Sequence, residues 1–307
     1  MKTLISVLET ALPVFVMLIM GMLFRSRHFI TRDGVDTLKK VVVNLTLPFA
    51  LFTAFATADY NLSAVVIPVV IYIACGVMLG LGFLAAKLQK SAGKLSPFVS
   101  ACFEAGMLGL PLFALLFPDE NISHYALLML GHDLFVFTLY KTLLVGKTSG
   151  RAIIKDMLTS PTLIGVLLGL LVGASGLYGQ LHNWGVGGVL DGVIGFVAAP
   201  TSAMILLCMG YDFVPREIPW KKTVKLIAVR LVIAAALLAL LIFFNRAVLG
   251  NIMFEGALII LFILPPPFII PVVADEPAER AEISSSLSAM TVLTMVLFTL
   301  LSIFLSR

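Results

Sequence analysis

Charge is what this chain has least of. Only 12% of its 307 residues are Asp, Glu, Lys or Arg, and four are histidine. A soluble domain carries about 25% charged residues, so a surface of this length facing water cannot be assembled from so few. Hydrophobic residues reach 60%, and mean hydropathy is +1.08. The soluble classes are excluded, and a polytopic membrane protein remains. Cysteine is scarce too. Cys75, Cys102 and Cys208 sit in apolar runs without metal-ligand spacing, and their odd number argues against a disulfide framework. Long polar links are missing, so no soluble domain fits between the runs. The amino terminus lacks a small-x-small cleavage site; Lys2 and the run through Pro13 to Phe24 read as a retained first span.

What is present is a series of ten apolar runs, each about the 17–25 residues a helical crossing needs. They lie near Leu8–Phe24, Leu38–Ala58, Ala64–Leu88, Ser96–Phe117, Ser123–Val145, Pro161–Gly179, Leu190–Tyr211, Leu226–Phe244, Asn251–Val273 and Ile283–Leu305. Basic residues in the links set the orientation. Eighteen of the 21 Lys and Arg fall in the odd-numbered links, Arg230 counted among those after span seven; only Lys2, Arg246 and Arg307 fall on the other side. This bias predicts odd links in the cytoplasm and both termini outside. It also turns the formal charge of +4 away from nucleic acid and toward the inner membrane surface. The expected fold is an all-α membrane protein of ten transmembrane helices.

The halves look related. Spans two and seven each carry a central proline, Pro48 and Pro200. Spans four and nine each break, at Glu104-Ala-Gly-Met-Leu-Gly-Leu-Pro111-Leu-Phe113 and at Leu261-Phe-Ile-Leu-Pro-Pro-Pro-Phe-Ile-Ile-Pro271. Five spans per repeat is odd, so residues 151–307 must enter the membrane inverted relative to residues 1–150. Pro265, Pro266 and Pro267 remove three amide donors and clash with the preceding turn. They are expected to leave the carbonyls of Leu261, Phe262 and Ile263 unpaired. Such a break survives only where protein or a cavity covers it, and broken helices in corresponding places point to a transporter's binding site.

If spans four and nine break at the same depth, half-helix ends converge there. Amino-terminal ends carry about half a positive charge and free amides. Gly106, Met107 and Pro111, with the amides of Leu112 and Phe113, are candidates to hold an anion on one side. Pro265, Pro266, Pro267, Phe268 and Ile269 are candidates on the other. No Lys or Arg lies deep in any span by this count, which leaves anion recognition largely to backbone. Two carboxylates do lie deep, Glu104 and Asp133. Either could bind a coupling proton or a sodium ion, with the Leu261 carbonyl and Thr291 as further coupling-ion candidates. The bland alternative for each is a neutral acid bonded to a neighbour. His132 leaves the helix about 100° from Asp133 and reads as a packed residue rather than its partner. Asn44, four residues before Pro48, offers a side-chain amide and a freed carbonyl; helix–helix contact is its alternative. Ser284, Ser288, Thr291 and Thr294 share one face of span ten, a stripe more often packing than ligand contact. Tyr140 and Asp212 fall near cytoplasmic span ends, as gate or surface groups.

These segments resemble the auxin efflux carrier family in its short prokaryotic form. The resemblance rests on Leu12-Pro-Val-Phe-Val-Met-Leu-Ile-Met-Gly21 followed by a basic loop, on Val43-Asn-Leu-Thr-Leu-Pro-Phe-Ala-Leu-Phe52, and on the two broken segments Phe103–Phe113 and Leu264–Val272. It implies a ten-helix inverted-repeat fold, shared more distantly with bile acid sodium symporters. Spans one, two, six and seven would form a scaffold, and spans three to five and eight to ten a moving core. It further implies elevator-like alternating access, small organic acids such as malate and malonate as substrates, and, from the plant relatives, a homodimer. The long cytoplasmic loop of the plant exporters is absent.

The expected function is therefore a secondary transporter of small organic anions in the inner membrane, coupled to a proton or sodium and needing no other cofactor. A ligand sensor of the same fold and a carrier of amino acids or other non-anionic solutes are the alternatives. An intramembrane aspartyl protease using Asp133 and Asp212 is a distant third, because Asp212 lies at a span's end.

Overall fold

The computed structural model describes residues 2–58, 60, 63–89, 93–146, 159–213, 220–273 and 277–305. Among these there are helices and no strand. Six helices are long and apolar enough to cross a membrane: Arg32–Ala56, Ser63–Leu88, Ser123–Val145, Gly187–Asp212, Thr223–Ala247 and Glu282–Leu305. A seventh crossing results if Pro161–Ala174 and Leu177–Asn183, bent by 68°, count as one. The proposed boundary between repeats, at residues 150 and 151, lies outside the described residues.

Prolines shape these helices in the same way at two places. Inside Arg32–Ala56 the ladder widens into a π turn at Val42–Thr46, immediately before Leu47-Pro48. The pattern repeats at Ala105–Gly109, immediately before Leu110-Pro111. A proline has no amide for the carbonyl four residues back, and its ring crowds that carbonyl. Widening the preceding turn moves the carbonyl aside, so the helix continues past the proline instead of ending.

The chain divides into two compact units. One holds Met1–Ala64, Gly106–Leu127 and Gly150–Asp212; the other holds Val65–Ala105, Leu128–Ser149 and Phe213–Arg307. In the first unit, α1 (Lys2–Ser26) packs on the helix Thr201–Asp212 with backbones touching. A Cβ on Gly21 would overlap the Leu207 carbonyl, and one on Gly210 the Leu18 carbonyl. Only glycine permits this approach. Gly210→Ala should cost at least the 1–3 kcal/mol, roughly, of an overpacked core. Thermal unfolding in detergent should show a clear drop in Tm for this variant, and none for Gly192→Ala, whose Cβ would meet open space.

In the same unit Asp212 is held by Arg32 and Lys39, an ion-paired cluster on the helix end. Asn44 is exposed and donates its side-chain amide to the Lys40 carbonyl (2.9 Å), while Pro48 is buried against the backbone of Gly165.

The second unit contains both interruptions. Span four begins as a single turn, Ser96–Val99, unwinds through residues 101–104, and resumes helical at Ala105. Cys102 has φ +57°, a left-handed conformation uncommon for a residue other than glycine. Span nine runs helical over Glu255–Ile263, turns extended at Leu264 (φ −68°, ψ 153°), and resumes as a short 3₁₀ segment at Ile270–Val273. An extended Leu264 is what a following proline demands.

Candidate functional site

The unwound stretches of spans four and nine meet. The Glu104 amide donates to the Pro265 carbonyl at 2.8 Å, and the Phe268 amide donates to Glu104 Oε2 at 2.8 Å. Glu104 therefore reaches both sides of the proline run, one with its backbone and one with its carboxylate. Phe268 opens the turn that leads into the short 3₁₀ segment Ile270–Val273, and its amide is the backbone donor that meets the carboxylate. Glu104, Phe268 and Ile269 are half-buried, and Pro265, Pro266 and Pro267 are buried.

The carbonyls freed by the two breaks are taken up by side chains. Arg230 Nη1 donates to Val99 O at 3.0 Å; its Nη2 donates to Cys102 O at 2.7 Å and Leu264 O at 2.9 Å. Tyr140 donates its hydroxyl to Phe98 O at 2.9 Å, and Thr294 donates to Ile263 O at 2.6 Å. The Leu261 carbonyl accepts from the Leu264 amide at 3.4 Å. The expectation of unpaired carbonyls at Leu261 and Ile263 is thus corrected. A backbone amide, two hydroxyls and one guanidinium satisfy these carbonyls, as burial requires.

Arg230 also corrects the reading of the charges. It lies within the crossing helix Thr223–Ala247 and is 4% exposed, so one basic residue does sit inside a span. Its guanidinium lies over the Phe103 ring, 5.2 Å from the centroid. A buried arginine of this kind is stable only with a full set of acceptors, and the two breaks supply them.

His132 and Asp133 are partners after all. His132 Nδ1 lies 2.9 Å from Asp133 Oδ1, and the Phe103 amide donates to His132 Nε2 at 3.0 Å. Since Nε2 accepts, the proton resides on Nδ1 and is donated to Asp133. Helical spacing separates the two side chains at their roots. The imidazole nevertheless swings toward the carboxylate because the unwound Phe103 amide is available to its other nitrogen. Tyr140, read as a gate or surface group, is fully buried.

Other expected site residues lie elsewhere in the fold. The break in span four comes about two turns before Pro111, at residues 101–104. Gly106 and Met107, half-buried in the π turn, follow it directly. Pro111, Leu112 and Phe113 belong to the unbroken helical stretch 105–116, buried, with Phe113 stacked on Tyr125 at 5.4 Å. The π turn Ala105–Gly109 moves aside the carbonyl that Pro111 would crowd, so Pro111 does not make the break it was expected to mark. In span ten, Thr291 and Ser288 donate to carbonyls of their own helix, Leu287 and Ser284. Only Thr294 of that stripe reaches the broken span. Among the described residues, no three His, Cys, Asp or Glu side chains gather as a metal centre.

Residues 6–148 match the model of a family described as membrane transport protein. An uncharacterized transporter of Methanothermobacter thermautotrophicus is 26% identical over 210 residues, 66% of this chain and 66% of the relative. An uncharacterized transporter of Methanocaldococcus jannaschii is 24% identical over 224 residues, 69% of this chain and 70% of the relative. The chain thus spans 66% and 70% of the lengths of these two relatives.

Proposed function

We propose, from the premise that this multi-pass membrane protein belongs to the auxin efflux carrier family of membrane transport proteins, that it is a secondary transporter of small organic anions. Mono- and dicarboxylates such as malate and malonate are the substrate class. Access alternates by an elevator-like motion of a core built from spans three to five and eight to ten against a scaffold of spans one, two, six and seven. The chain crosses ten times, as two inverted repeats with both termini outside, and works as a homodimer.

One observation carries the reading: Glu104 bonds on both sides of the proline run, through its amide to Pro265 and its carboxylate to Phe268. A backbone amide that already holds a carboxylate has the geometry to hold a substrate's carboxylate in its place. Glu104 is accordingly the coupling residue. With a proton or sodium ion bound, it no longer repels the incoming anion, and the Phe268 amide becomes available to it. Asp133, tied through His132 to the Phe103 amide, is the second carboxylate of the coupling machinery. Support for a moving core comes from the way the residues group. One compact unit gathers the chain from spans three, eight, nine and ten with both unwound stretches.

The test is uptake into proteoliposomes. A panel of mono- and dicarboxylates, with amino acids as the non-anionic arm, is offered under imposed proton and sodium gradients. Concentrative uptake of a carboxylate is expected. Uptake of amino acids alone would remove the anion assignment, and saturable binding without flux would make the protein a sensor.

A further inference from the structure

We propose that Arg230 is the positioning residue of the crossing: it ties the carboxy-terminal ends of both interrupted spans to the helix Trp220–Ala247 and so fixes where Glu104 and Phe268 stand. The geometric half stands on contacts alone; the consequence for substrate rests on the transport reading above.

Arg230 reaches both interruptions at once. Val99 and Cys102 belong to the end of the first half of span four, and Leu264 to the end of the first half of span nine. The residues that follow these carbonyls are the ones that make the site. Glu104 is two positions beyond Cys102, and Pro265 follows Leu264. A guanidinium has a planar fork of donors, and here two of its nitrogens serve three carbonyls on two separate stretches. Phe103, between Cys102 and Glu104, is held by the same group through its ring and by His132 through its amide. The carbonyl-rich ends carry partial negative charge, and the cation offsets it. Beyond the proline run the Phe268 amide is held by Glu104, the place the anion takes in the transport reading. Arg230 therefore acts on substrate through Glu104 and Phe268 without touching it.

Cys102 is a built-in reporter. It is fully buried, left-handed in backbone, and bonded to Arg230 through its own carbonyl. In a Cys75→Ser, Cys208→Ser background it is the one thiol of the chain. The experiment measures the rate at which N-ethylmaleimide labels it in purified full-length protein. Arg230→Met should speed labelling about tenfold or more, since three carbonyls lose a charged donor. Arg230→Lys should fall between, because a point-like ammonium cannot span both stretches. Thr223→Val removes the buried Thr223–Ser286 hydroxyl pair from the same helix (3.1 Å) and should leave the rate unchanged. Labelling of Arg230→Met at the parent rate would overturn the proposal. Equal acceleration by Thr223→Val would overturn it too, since general loosening would then suffice. If Arg230→Met does not purify folded, Arg230→Lys carries the test, and a parent-like rate there is the overturning result. None of this needs transport, so vesicles without uptake would remove the transport reading and leave the positioning claim standing. Where uptake is present, Arg230→Lys should raise half-saturation for a dicarboxylate about tenfold, and an unchanged value would overturn the functional half.

Discussion

Glu104→Gln is expected to uncouple the carrier. Carboxylate accumulation in vesicles should no longer follow an imposed proton or sodium gradient, while exchange of substrate down its own gradient continues. The variant keeps the crossing intact. A glutamine oxygen can accept the Phe268 amide as Oε2 does now, and the Glu104 backbone bond to Pro265 is untouched. What is lost is the charge and the site for the coupling ion. Two carboxylates about 4 Å apart repel by about 4 kcal/mol at an effective dielectric constant near 20. A third of that is tenfold in affinity. Relief of even a third of that repulsion would, without a gradient, tighten half-saturation for malonate by about tenfold, and full relief by more. Accumulation that still follows the gradient would mean that another group, Asp133 first, carries the ion.

Replacing Pro265, Pro266 and Pro267 together by alanine is expected to abolish uptake without unfolding the protein. Each proline opposes a helix interior by about 3 kcal/mol relative to alanine. With all three gone, the helix Glu255–Ile263 has every reason to propagate, because an apolar surrounding rewards each new backbone bond. Leu264 would leave its extended conformation and withdraw its carbonyl from Arg230, and residue 265 would withdraw its own from Glu104. Misplacement by an ångström or so at a site can cost about a hundredfold in rate, so uptake should fall at least that far. Circular dichroism should show helix content unchanged or higher. Pro266→Ala alone leaves Pro265 and Pro267 to hold the break and should keep most activity. Near-normal uptake by the triple variant would show that the proline run is not what keeps the site open.

The sequence made some of this legible and hid the rest for physical reasons. The break in span nine was plain, because three adjacent prolines admit no helix. Its partner in span four was found but misplaced. Pro111 drew attention, whereas the chain unwinds at residues 101–104, where nothing but glutamate looks unusual. That unwinding is enforced from outside, by Arg230 on the Val99 and Cys102 carbonyls and His132 on the Phe103 amide. Contacts between residues 29, 128 and 131 positions apart leave no local pattern. Arg230 itself was disguised by its neighbours. Lys221, Lys222 and Lys225 precede it, so a basic link was read to run on for another turn and more. One signal was available: from Leu226 to Phe244 the chain is apolar except for this arginine, and a lone cation in such a run calls for acceptors. Helical spacing alone sets His132 and Asp133 apart, and it neglects how far an imidazole can turn when a backbone amide is there to meet it.

The two widened turns ahead of Pro48 and Pro111 hold a consequence for insertions and deletions. Each turn accommodates one residue more than a regular coil would. Removing a single residue from Val42–Thr46 would mend the ladder there, and everything downstream would keep its phase, because the widened turn holds the surplus residue. The same removal from the regular coil Arg32–Val41 has no such turn to absorb it, and everything downstream would swing by about 100° about the helix axis. Pro48 and Phe52 would then no longer meet the backbone hollows at Gly165 and Gly169, against which they now rest. Where the chain is shortened decides whether its faces survive.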